Sequence, residues 1–70
     1  MSIGKRIKNY IDERGIKQIF LIEKTGLSQY TVSKSLNGER EMKIMEYYLI
    51  CEALEVPFDM FLKQAEQQTA

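Results

Sequence analysis

Histidine and tryptophan are missing from this 70-residue chain, and cysteine and proline occur once each, as Cys51 and Pro57. A lone thiol closes no internal disulfide, and without histidine or a second cysteine a zinc or iron site has almost no ligands to draw on. Cys51 falls at a core position of a helical pattern, where a free cysteine behaves as a small buried hydrophobe. The same scarcity removes the usual materials of catalysis. There is no histidine base, no nucleophile with an evident activator and no glycine-rich phosphate loop. The expectation is a protein that is not an enzyme and uses no metal or cofactor.

Long apolar runs are also lacking. None approaches the ~18 residues of a membrane span, and no basic segment followed by an apolar one opens the chain, so the expected compartment is the cytoplasm. Hydrophobic residues at 44% and charged residues at 29% suit a globular chain. A chain of this length makes a single domain, residues 1–70, that buries ~60% of its unfolded surface and keeps a small margin of stability. No second domain is expected, and with it no small-molecule effector. Repeats and low-complexity linkers are absent.

Net charge is missing too, with ten bases against ten acids. The balance hides a division. Residues 1–40 hold Lys5, Arg6, Lys8, Arg14, Lys17, Lys24, Lys34 and Arg40 against Asp12, Glu13, Glu23 and Glu39, a net of +4. Residues 41–70 hold Lys43 and Lys63 against Glu41, Glu46, Glu52, Glu55, Asp59 and Glu66, a net of −4. Such a molecule can turn a positive side towards phosphates while its acidic side stays in water.

The positive half contains the stretch around which the chain is organised, residues 18–37, QIFLIEKTGLSQYTVSKSLN. It reads as two short helices joined by one tight turn. Residues 18–25 have neither Gly nor Pro; Gly26 supplies the positive φ that ends the first helix, and Ser28 can cap the second. Unrolled at about 100° per residue, the second helix gathers Gln29, Tyr30, Ser33, Lys34 and Asn37 within roughly 140° of arc, with Val32, Ser35 and Leu36 turned away. A Gln and Lys face suits a DNA major groove, where Gln pairs with adenine and Lys with guanine. It equally suits a solvated helix surface, and spacing alone does not separate the two.

The motif resembles the helix-turn-helix of the Cro and phage-repressor type, the XRE family, through Gln18, Leu21, Gly26, Leu27, Ser28, Val32, Ser33 and Gly38. Residues 31–37 are also similar to the recognition helix of the lactose-repressor family. The register continues without insertion through Ile44, Tyr47, Ile50, Cys51, Ala53, Leu54, Val56, Phe58 and Phe61, so the resemblance covers about residues 3–62. It departs at Ile22, where the family usually has Ala, and at Ser35, where an apolar residue is usual. Return of the Ser35 hydroxyl to the Thr31 carbonyl would satisfy it.

The resemblance implies an all-α, compact five-helix, lambda-repressor-like domain with its helix-turn-helix at helices 2 and 3. Gln29, Tyr30, Ser33 and Lys34 then become base contacts, with Gln18, Lys17, Arg6, Asn37, Arg40 and Lys43 contacting phosphates. The expected partner is double-stranded DNA, and the expected role is a transcriptional regulator that represses from a palindromic operator as a homodimer. Prophage Cro-like regulators and restriction-modification controllers are similar and not separable by sequence. The rival reading is a protein-interaction module on the same fold, such as an antirepressor or antitoxin-like adaptor.

Around the motif, residues 3–14 form a helix with Ile3, Ile7, Tyr10 and Ile11 in one stripe and Lys5, Arg6, Lys8, Asp12 and Glu13 outside it. Residues 44–54 form the fourth, burying Ile44, Tyr47, Ile50, Cys51 and Leu54. On another face Met42, Met45 and Leu49 make an apolar stripe, a candidate dimer interface together with Met60. Pro57 is expected to start helix 5, whose inner face carries Phe58, Phe61, Leu62 and Ala65, with Met60 opposite and residues 64–70 fraying.

Overall fold

The boundaries of the helices have local causes. In the computed structural model, which describes residues 2–62, α1 (Ile3–Glu13) begins where the Ser2 hydroxyl accepts the Lys5 N–H at 3.2 Å. Then follow α2 (Gln18–Thr25), α3 (Gln29–Leu36) and α4 (Ile44–Leu54). A further helical segment starts at Met60 and reaches Leu62, the last described residue. The chain is thus all-α in the expected order, and no strand occurs among the described residues. The fifth helix begins later than expected. The Pro57 carbonyl accepts the Met60 N–H at 3.1 Å, so residues 57–60 make a turn before the helix proper. Lys63, Ala65 and the tail 64–70 lie outside the described residues.

α3 packs against both α1 and α2, and α2 in turn packs against both α3 and α4. The core draws on every element: Ile7 and Ile11 from α1, Leu21 from α2, Val32 and Leu36 from α3, Tyr47, Ile50 and Cys51 from α4, and Phe61. Phe61 stands edge-on to Tyr10 at 5.5 Å and to Tyr47 at 6.4 Å between ring centroids, so the last described segment closes the core against the first helix.

Two residues expected inside are outside. Ile44 is 65% exposed and Phe58 is 40% exposed. Ile44 keeps the helical register of Tyr47 and Cys51. But among the described residues α2 is the one helix that packs on α4, and Ile44 at the first position of α4 is left exposed while Tyr47 is buried. Phe58 belongs to the turn before the fifth segment, so its ring rests edge-on against Tyr47 at 4.8 Å instead of entering the core. The Tyr47 hydroxyl donates to the Phe58 carbonyl and anchors that turn. Burial, followed by its hydrogen bond with Cys51, pushes the Tyr47 phenol from 10.0 up to about 12.

A close helix approach occurs at Gly4, a residue the periodicity does not flag. A Cβ there would lie 1.8 Å from the Ser35 carbonyl oxygen and 2.7 Å from its carbon, so α1 rests directly on the backbone of α3. Gly4→Ala forces the two helices apart and is expected to cost about 1–3 kcal/mol in urea unfolding, the range of an overpacked core. Because the folded-state pKa of Tyr47 is raised, its contribution is complete below pH 10.0 and is lost as pH rises towards about 12. Tyr47→Phe should flatten that alkaline limb in unfolding curves measured from pH 9 upwards.

Candidate nucleic-acid interface

The turn between α2 and α3 is three residues long and fully specified by its own side chains. Thr25 Oγ1 donates to the Leu21 carbonyl at 2.6 Å and accepts the Leu27 N–H at 3.1 Å. Gly26, at φ +76°, returns its N–H to the Ile22 carbonyl at 3.0 Å. Ser28 Oγ then accepts the Thr31 N–H at 3.1 Å and donates to Thr31 Oγ1 at 3.0 Å. α3 therefore leaves the turn with the Thr31 N–H of its first turn capped.

Its two faces separate as the periodicity requires. Val32, Ser35 and Leu36 are buried, Gln29 and Asn37 are exposed, Tyr30 is 69% exposed, and Ser33 and Lys34 are half-buried between them. Gln29 and Tyr30 occupy the N-terminal end, the part of such a helix that reaches furthest into a groove. No side chain caps the start of α2, where Lys17 is exposed and Gln18 is half-buried. Its first N–H groups thus keep the partial positive charge that favours an anion.

Helix α3 ends in a Schellman motif. Gly38, at φ +78°, donates to the Ser35 carbonyl at 3.2 Å, and Glu39 donates to the Lys34 carbonyl at 2.9 Å. Carbon atoms of the Lys5 side chain come within 2.8 Å of where a Gly38 Cβ would sit, which places the exposed start of α1 beside the end of α3. The Lys34 ammonium lies 3.3 Å from the Glu39 carboxylate and 5.9 Å from the centre of the Tyr30 ring.

Two of the expected phosphate contacts are placed differently. Arg6 is 7% exposed, buried on the flank of the apolar stripe of α1 with its Nε inside as well as its stem. Arg40 is engaged in a clamp. Its guanidinium donates to both Glu46 carboxylate oxygens, at 2.9 and 3.4 Å, and to Ser35 Oγ at 3.0 Å, while Glu46 also accepts the Lys43 N–H at 2.9 Å. So the Ser35 hydroxyl meets Arg40 and not the Thr31 carbonyl, and the end of α3 is tied to the start of α4. Lys43 remains exposed at that start. The hydrogen bond from Arg40 holds the Glu46 carboxyl below its usual 4.5, against the opposing effect of burial.

The apolar stripe is also redrawn. Met45 is 62% exposed and Leu49 half-buried, whereas Met42 and Met60 pack against the core. Ile44 and Tyr48 join Met45 instead, with Tyr48 41% exposed and its ring 6.4 Å from that of Phe58. Thr25, Glu39 and Glu46 were not singled out from sequence. Glu46 is three residues beyond the cap of α4, the acidic position of a capping box, and Glu39 follows an Asn-Gly helix stop, so both carried a local signal.

A family model described as the Cro/C1-type HTH DNA-binding domain matches residues 6–62. Comparison with curated proteins and with solved structures gives no match. Among the described residues no helix is long and apolar enough to cross a membrane, and no three His, Cys, Asp or Glu are grouped to hold a metal ion.

The clamp has a pH signature. With its folded-state pKa lowered, Glu46 contributes stability that is present above pH 4.5 and is lost as pH falls below it. Glu46→Gln should remove this acid limb from a pH series of thermal melts. Arg40→Ala should cost about 1–2 kcal/mol, the value of charge-assisted bonds at a partly exposed site.

Proposed function

The chain belongs to the Cro/C1-type helix-turn-helix DNA-binding family, and we propose that it is a transcriptional repressor which binds a palindromic operator as a homodimer. The observation that carries the reading is the division of α3 into a buried stripe and an outward face of Gln29, Tyr30, Ser33 and Lys34. Gln29 and Lys34 offer hydrogen bonds to base edges, each worth ~1–3 kcal/mol of discrimination. Tyr30 and Ser33 complete that face. Lys17 and Gln18 at the uncapped start of α2, Asn37 at the end of α3, Lys43, and Lys5 beside Gly38 supply phosphate contacts that position the helix without reading sequence. Repression follows from occupying an operator in the cytoplasm.

Two half-sites about one helical turn apart call for two copies. The exposed face of Ile44, Met45 and Tyr48, with Leu49 at its margin, is the surface proposed to join them, since large exposed apolar patches mark interfaces. The same face, with the zero net charge, also favours the second reading, a protein-interaction module that does not read DNA.

Gln29→Ala and Lys34→Ala are expected to weaken operator binding about 5- to 100-fold while changing binding to random duplex little, whereas Gln18→Ala should weaken both alike. Equal losses on the two DNAs for all three variants would contradict these roles. Met45→Glu should shift the sedimentation profile towards monomer; an unchanged profile would move the interface off this face.

A further inference from the structure

In a Schellman motif the residue after the left-handed glycine comes to rest against the side chain three positions before the helix cap, and an apolar contact usually fills that place. Here the two positions hold Glu39 and Lys34, whose backbones are already joined by the Glu39 N–H to Lys34 carbonyl bond of 2.9 Å. Their side chains form an ion pair at 3.3 Å, and the Lys34 ammonium belongs to the outward face of α3. The chain turn itself brings the two side chains together. A carboxylate is therefore built into the surface that phosphates would approach. Both side chains stay open to solvent, at 41% and 52% exposure, so the pair can be exchanged.

We propose that Glu39 is a specificity-determining residue that competes with DNA for Lys34 and suppresses binding to arbitrary sequence. This rests on the DNA-binding reading above. On random duplex Lys34 meets only the diffuse field of phosphates, which returns little more than Glu39 already provides, and the carboxylate repels that same field. At an operator Lys34 can donate directed hydrogen bonds to a base edge, which outweigh the lost pair. Non-specific binding is electrostatic and set by the number of counterions released. Cancelling one lysine therefore lowers it more than it lowers specific binding.

The test is fluorescence anisotropy of the full chain on a random-sequence duplex across a salt series, comparing wild type, Glu39→Gln, Lys34→Gln and Lys34→Gln/Glu39→Gln. Glu13→Gln on α1 serves as a control for simple loss of a negative charge, and thermal melts establish that each variant is folded. Glu39→Gln is expected to bind random duplex about two- to fivefold more tightly, with a log–log salt slope steeper by about one. In the Lys34→Gln background that gain should shrink to the Glu13→Gln value. If Glu39→Gln matches Glu13→Gln, or keeps its gain without Lys34, the competition is overturned while the DNA-binding reading stands. If folded wild type binds no duplex at any salt, the DNA-binding reading falls and the inference with it.

Discussion

An eight-residue helix has too few internal hydrogen bonds to persist in water, so α3 exists only because its neighbours hold it. Val32, Ser35 and Leu36 form the stripe by which they do so. Leu36 and Val32 enter the core shared by all the helices. Ser35 lends its carbonyl to the contact with Gly4 and its hydroxyl to Arg40. The buried stripe fixes the rotation of α3 about its own axis, and the short turn at residues 26–28 sets where the helix begins through the bonds of Thr25 and Ser28. Gln29, Tyr30 and Lys34 are consequently presented on a surface that does not have to be organised when a partner arrives, and the cost of ordering it is met during folding.

Charge in this molecule is arranged more sparingly than the formal count suggests. The first forty residues carry a net of +4, yet Arg6 is buried, Arg40 is neutralised by Glu46 across the α3–α4 connection, and Lys34 is shared with Glu39. The cations exposed to solvent among the described residues are Lys5, Arg14, Lys17, Lys24 and Lys43. Each cation already engaged by a carboxylate has less to gain from a phosphate, because the pair must be exchanged before the new contact forms.

What could be read from the sequence was local. Gly26, Ser28 and the Asn37-Gly38 pair announce helix stops and starts through bonds spanning two to five residues, and the structure makes those bonds. The inner stripe of α3 was legible for the same reason, since it needs only the helical period. What escaped depends on partners in other elements. Gly4 matters because the backbone of Ser35 crosses it, and Arg40 lies inside a clamp because Glu46 comes round from the next helix. Arg6 is drawn in at the flank of a stripe whose width periodicity does not define. Ile44 and Phe58 failed in the opposite direction. Each kept a core-like register, but Ile44 sits at the exposed first position of α4 and a turn replaces helix beneath Phe58. Burial is decided by the neighbour, and a single helix's pattern does not contain it.

The most direct test of α3 as a reader of DNA sequence is in vitro selection from random duplex at physiological salt, with wild type beside the Gln29→Ala/Lys34→Ala double variant. Enrichment by the wild type of a palindromic consensus that the folded double variant fails to enrich is the predicted result. Absence of any enriched sequence from folded wild-type protein would contradict sequence reading and make the protein-interaction module the better description.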